Sequence, residues 1–106
     1  MRPQDAEAAI EYLVHSAFPH AQAKARLAKA EAMKSHVKAL AMKASGEKSA
    51  AAQAREAYAS PEYLAHIDEI FTATLEFQKL QSGREAAKIK ADFFRTLEAS
   101  RREAGV

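Results

Sequence analysis

The sequence predicts an all-α fold: an elongated antiparallel helical hairpin with a short helix at its bend, assembled into an oligomer. Alanine, the strongest helix former, fills 26 of the 106 positions, whereas glycine and proline occur three times each. The helical pattern is clearly interrupted only within the stretch from Ser45 to Leu64. The arms on either side, Gln4 to Ala44 and Pro61 to Ala104, have similar lengths, so they can fold back on each other.

Two sets of local signals define the bend. Gly46 can adopt the positive φ that ends a helix, and Ser49 is placed to cap the next one. Ser60 followed by Pro61 marks a third start, because proline at the first helical position loses no hydrogen bond. The sequence therefore predicts one domain over residues 1–106. Its predicted helices cover residues 4–18, 20–45, 49–59 and 61–103.

The first arm contains an expected interruption. Pro19 removes an intrahelical hydrogen bond and disfavours the α conformation at Phe18, so we expect a kink or break there. Apolar residues spaced three or four positions apart predict which face of the helix is packed. Before the proline these are Ile10, Leu13, Val14 and Ala17, and after it they are Leu27, Ala30, Met33, Val37, Leu40 and Ala44.

The second arm carries most of the bulky apolar residues, and they cover more than one helix face. A helix of 44 residues would extend roughly 66 Å, so an alanine-rich partner helix cannot bury both of its faces. We therefore expect a homo-oligomer. The residues predicted to form its interface are Phe71, Leu75, Phe93 and Phe94.

The sequence lacks the motifs that are typical of several classes of protein function. The chain has no cysteine, which excludes disulfides and thiolate zinc sites and favours a reducing cytoplasm. The N-terminus does not have the pattern of a signal peptide, and no apolar run is long enough for a membrane span. We interpret the four histidines as solvated or packed, since none lies in a metal-binding motif. We expect no enzymatic activity, metal or cofactor.

Charge is unevenly distributed. The segment from His20 to Lys48 has a net charge of +5, whereas that from Ser49 to Lys79 has −3. A basic stripe on the first arm can track a phosphate backbone without reading bases, although the sequence pattern alone favours ordinary solvated lysines. The candidate nucleic-acid contacts are Lys24, Arg26, Lys29, Lys34, Lys38 and Lys43, with Lys88, Lys90, Arg95, Arg101 and Arg102 as a secondary set.

Several segments resemble a family of small all-helical phage proteins. They are AQAKAR (21–26), KALAMK (38–43), GEKSAAAQAREAYASPEYLAH (46–66), AAKI (86–89) and FFRTLEASRR (93–102). The match is most specific over residues 49–66. Through the aromatic-Arg pair Phe94-Arg95, this family is distantly similar to UvsY-type recombination mediators. That resemblance implies an oligomer that binds single-stranded DNA and assists a recombinase in the cytoplasm of a bacterial host cell.

Two hypotheses follow. In the first, the protein is a phage accessory factor for DNA recombination or replication that binds single-stranded DNA as an oligomer. In the second, it is a protein-interaction module without nucleic-acid binding, either a phage inhibitor of a host factor, as anti-CRISPR proteins are, or a minor structural component. That module would use the aromatic arm or an acidic face formed by Glu62, Asp68, Glu69 and Glu76.

Overall fold

The structure is a computed structural model and describes residues 2–105. It contains three helices in this range: α1 (Pro3–Ala44), α2 (Ala50–Tyr58) and α3 (Pro61–Glu103). No strand occurs in the same range. The predicted all-α hairpin with a short helix at its bend is confirmed.

The local signals at the bend act as predicted. Gly46 lies just beyond the end of α1 and has a positive φ of 75°. Ser49 caps α2, since its Oγ accepts a hydrogen bond from the Ala52 N–H at 3.1 Å. Ser60 Oγ accepts from the Tyr63 N–H at 3.2 Å, and Pro61 is the first residue of α3. Each helix end is thus determined by residues within a few positions of it.

Of the two expected interruptions at Pro19, the break is wrong, whereas the kink stays a prediction. α1 continues through Pro19 as one helix of 42 residues, so residues 4–18 and 20–45 do not form separate helices. We attribute this continuity to tertiary contacts on both sides of the proline. Arg84 donates hydrogen bonds to the Leu13 carbonyl and to Ser16 Oγ, each at 2.7 Å. His20 Nε2 and Gln81 Oε1 lie 2.5 Å apart.

Contacts divide the chain into two compact units. The first, which we call the terminal unit, pairs α1 up to Gln22 with α3 from Gln78 onward. The second, the bend unit, is the segment Ala23–Phe77 and contains α2. The assignment of all residues to a single domain stays a prediction.

The helices run antiparallel in each unit, as their contacts show. In the terminal unit, Arg84 contacts Ser16, whereas Gln81 contacts His20. In the bend unit, His66 Nε2 lies 2.7 Å from the Ala30 carbonyl, and Tyr58 of α2 contacts Lys38. In each case a higher number on α1 meets a lower number beyond the bend.

Small residues form the packed seam. Along α1 the buried and half-buried positions alternate at three and four residues, which is the heptad spacing of a coiled coil. They are Ala6, Ala9, Leu13, Ser16, His20, Ala23, Leu27 and Ala30. Along α3 the same spacing gives Ile70, Ala73, Phe77, Leu80, Arg84, Ala87, Ala91 and Phe94. Alanine at these positions lets the two backbones approach closely, although each alanine buries little area.

The predicted packed face of α1 is partly wrong for this reason. Ile10, Val14, Met33 and Leu40 are exposed, and the seam uses smaller neighbours such as Ala9 and Ser16. Hydrophobicity alone placed the bulky residues inside. The close approach of the helices instead leaves them on the surface.

Candidate nucleic-acid interface and exposed apolar surfaces

Arg26 is already engaged within the bend unit. Its Nε and Nη2 donate to Glu69 Oε1 at 3.0 and 2.9 Å, and its Nη1 donates to Glu76 Oε2 at 2.7 Å. The hydrogen bond and charge of Glu69, with a smaller contribution from Glu76, raise the pKa of Arg26. This candidate phosphate contact is therefore occupied by two carboxylates.

Lys38 is also partly occupied. Its Nζ donates to Tyr58 Oη at 2.7 Å and lies 4.4 Å from the centre of the Tyr58 ring. The Tyr58 ring packs edge to face with Tyr63 at 5.2 Å, yet Tyr58 stays half exposed. The Lys38 ammonium thus lies over one face of the ring, and about half of the Tyr58 side chain stays accessible. Sequence reasoning missed Tyr58, because no local pattern links two residues 20 positions apart.

The remaining lysines of α1 are available. Lys24, Lys29, Lys34 and Lys43 are exposed, and within residues 2–105 none of them forms an ion pair. At about 100° per residue, Lys24, Lys34 and Lys38 fall within an arc of about 80° around α1. Lys29 and Lys43 lie close together on another part of its circumference. The bend unit thus presents two rows of cations.

The secondary basic set lies on α3, within the terminal unit. Arg95 pairs with Asp92 at 2.8 Å and Arg101 with Glu98 at 3.2 Å, each within one turn of helix. Three other cations are exposed and form no ion pair with the described residues. These are Lys88, Lys90 and Arg102.

Three of the four predicted interface residues lie on the surface. Phe71, Leu75 and Phe93 are 69%, 72% and 53% exposed. Phe94 is half-buried and lines a groove with Ala6 and Leu13, so it contributes to packing inside the terminal unit. Large apolar side chains with this exposure are typical of surfaces that another molecule covers.

The bend unit also contains an open groove of about 930 Å³, which we call the bend groove. Its apolar lining consists mainly of Val37, Leu40, Ala41, Ala44, Pro61 and Ala65. The ionisable side chains that line it are Glu56, Glu62, Glu69 and His66. Among residues 2–105, no lysine or arginine lines this groove. It therefore combines an apolar floor with an acidic rim.

Residues 2–105 contain no cluster of three His, Asp or Glu side chains that could hold a metal ion. None of the helices there carries the sustained apolar stretch that a bilayer crossing requires.

Comparison with known proteins adds no relative. The chain matches no protein-family model, no curated protein and no solved structure.

Proposed function

We propose that this protein is a phage accessory factor for DNA recombination or replication that binds single-stranded DNA without sequence preference and assists a recombinase. The observation that supports this proposal is the exposed, unpaired state of Lys24, Lys29, Lys34 and Lys43. Arg26 is held by Glu69 and Glu76, so these four lysines are the α1 cations of the bend unit that have no ion-pair or hydrogen-bond partner among residues 24–43 and their described neighbours. The phage context comes from the sequence resemblance.

Tyr58 adds a contact that cations alone do not provide. Its half-exposed ring beside Lys38 offers a stacking surface for one base, next to a charge for the adjoining phosphate. Stacking tolerates any base, which suits binding without sequence preference. The basic rows and Tyr58 together form the proposed DNA contact of the bend unit.

Self-association would make a weak patch effective. A few lysines on one copy bind DNA weakly, whereas several linked copies share one strand and gain avidity. Phe71 and Leu75 offer an apolar surface that can hold copies together. The proposed active form is therefore a homo-oligomer.

The test is fluorescence anisotropy with a labelled oligothymidylate at low salt. We expect binding whose affinity falls steeply with added salt, since phosphate contacts release counterions. Replacing Lys24 and Lys34 by glutamine should reduce the salt slope by about 1.4, at about 0.7 per lost contact. The charge-matched control replaces Arg95 and Arg101, which are already paired. Absence of binding by the wild-type protein at micromolar concentration would overturn the proposal.

A second candidate is an interaction module for a host protein, and the exposed Phe71 and Leu75 favour it. The acidic face contributes less charge to this surface than expected, because Arg26 pairs with Glu69 and Glu76. Within residues 2–105, the members of that face without an ion-pair partner are Glu62 and Asp68. Pull-down from host lysate with and without nuclease separates the two functions. A single stoichiometric protein retained after nuclease treatment would support this candidate.

A further inference from the structure

We propose that the bend groove of one copy binds the C-terminal basic ridge of a second copy. The basic ridge consists of Ile89 and Phe93 with the flanking Lys88 and Lys90. This inference rests on the self-association in the proposed function and adds a contact between copies that is separate from the Phe71 and Leu75 surface. It does not depend on DNA.

The bend groove has an apolar floor that the chain's own residues leave open. Leu40, which lines it, is 54% exposed. Of its three carboxylates, Glu69 is bound by Arg26, whereas Glu56 and Glu62 have no ion-pair partner within residues 2–105. The groove therefore favours an occupant with apolar side chains at its centre and positive charges at its edges.

The basic ridge has those properties. Ile89 and Phe93 are 69% and 53% exposed, and their spacing of four residues places them on the same side of α3. Lys88 and Lys90 flank Ile89 and are exposed. The ridge is an amphipathic helical segment with positively charged flanks.

The nearby acids do not cancel this charge. Asp92 is paired with Arg95 at 2.8 Å. Glu85 accepts a hydrogen bond from the neutral Gln81 amide at 3.2 Å and keeps its charge, but this single carboxylate is outnumbered by Lys88 and Lys90. The ridge therefore keeps a positive surface in spite of its acidic neighbours. The charges of groove and ridge are complementary, which is our reason for choosing a second copy as the occupant.

The groove size is consistent with this mode of binding. At about 930 Å³, it lies near the upper end of the range for sites that enclose small ligands, and it is open along one side. A helix that lays two apolar side chains into an apolar groove is a common recognition mode. Burying one exposed phenylalanine removes about 150–250 Å² from water.

The contact has a consequence for assembly. Groove and ridge are different surfaces, so a pair of copies joined by one such contact leaves one groove and one ridge unused. Those two surfaces either meet each other and close a two-fold dimer, or bind further copies head to tail in a ring or an open chain. Such an array suits a protein that coats a strand.

The test uses charge reversal at both surfaces, followed by sedimentation velocity without DNA at tens of micromolar. We expect the wild-type protein to associate. The groove variant (Glu56→Lys with Glu62→Lys) and the ridge variant (Lys88→Glu with Lys90→Glu) should each bind themselves at least about tenfold more weakly, because like charges then meet. An equimolar mixture should associate again, since every groove then finds a ridge of opposite charge.

Circular dichroism checks that both variants keep the fold, which we expect because all four side chains are exposed. A monomeric wild-type protein, variants that associate like wild type, or a mixture that stays dissociated would each overturn the inference. Retention of a basic host protein by a monomeric wild-type chain would assign the groove to that partner instead. Anisotropy on the groove variant keeps the two proposals apart, since its α1 lysines are unchanged.

Discussion

Arg26 of α1 donates two hydrogen bonds to one oxygen of Glu69 on α3, from Nε at 3.0 Å and from Nη2 at 2.9 Å. Its third nitrogen reaches Glu76, seven residues further along α3. These contacts set the register of the two helices in the bend unit. They also decide which cations stay available for a partner.

Replacing Arg26 by glutamine should lower the thermal midpoint of unfolding, because Glu69 and Glu76 then lose their shared partner. The pair is exposed, so the difference from wild type should shrink as salt rises from about 0.05 to about 0.5 M. Circular dichroism melts at both salt concentrations measure it. The control Arg95→Gln removes a pair within a single helix and should have a smaller effect. Equal decreases of the thermal midpoint in both variants would contradict the role of Arg26 in linking α1 to α3.

Replacing Arg84 by methionine should destabilise the protein by about 2 kcal/mol. Arg84 donates to the Leu13 carbonyl and to the buried Ser16 hydroxyl, and a buried acceptor left without its charged donor costs this much. Urea unfolding measures the loss. In the Arg84→Met variant, the further substitution Ser16→Ala should restore part of the stability, since it removes the Ser16 hydroxyl that has lost its partner. If the double variant loses as much unfolding free energy as the two single variants together, the proposed role of Arg84 is contradicted.

Gly83 faces the side chain of Tyr12. A Cβ built at Gly83 would collide with the Tyr12 hydroxyl and lie 3.2 Å from Cζ. Gly83→Ala should therefore gain less than the roughly 1 kcal/mol that alanine normally adds over glycine within a helix. In a Tyr12→Ala background the full gain should appear. Equal effects of Gly83→Ala in the two backgrounds, measured by urea unfolding, would show that Tyr12 does not restrict this position.

Replacing Gly46 by alanine should cost about 1 kcal/mol of stability, because its φ of 75° is unfavourable for a residue with a Cβ. No atom lies within 4 Å of the added carbon, so the cost comes from the backbone alone. Urea unfolding should show a smaller loss for Gly46→Asn, since asparagine tolerates this conformation better. An unchanged midpoint for Gly46→Ala would be inconsistent with this conformation.

Asp5 should make the start of α1 sensitive to acid. The Arg2 N–H donates to Asp5 Oδ2 at 3.1 Å and the Arg2 guanidinium lies 3.5 Å away, and together they lower the pKa of Asp5. The stabilisation is therefore present above the ordinary pKa of about 3.9 and is lost as pH falls through the lowered value.

NMR titration of the Asp5 carboxyl carbon measures this pKa, and amide exchange reports the first turn of α1. In Asp5→Asn the exchange rates of that turn should lose their dependence on acid pH beyond the intrinsic one. Titration of Asp5 at or above the ordinary value would contradict the capping role.

Part of the candidate site was accessible to sequence reasoning. The width of the apolar stripe on the second arm predicted Phe71, Leu75 and Phe93 as interface residues, and the structure leaves them exposed, while the interface itself stays a prediction. Sequence reasoning did not reveal that Arg26 and Lys38 have partners, because Glu69 and Tyr58 lie 43 and 20 positions away. It also assigned Phe94 to an outer surface, whereas the seam half-buries it.

The sequence by itself determined the helices at the bend and the hairpin that they imply. Gly46, Ser49 and the Ser60-Pro61 pair act on backbone groups within three residues, so their effects can be predicted from the sequence. Only the tertiary structure decided that α1 continues through Pro19, that alanines rather than Ile10 or Val14 form the seam, and that Arg26 is neutralised. These outcomes depend on contacts between residues far apart in the chain, which form only when α1 and α3 pack closely.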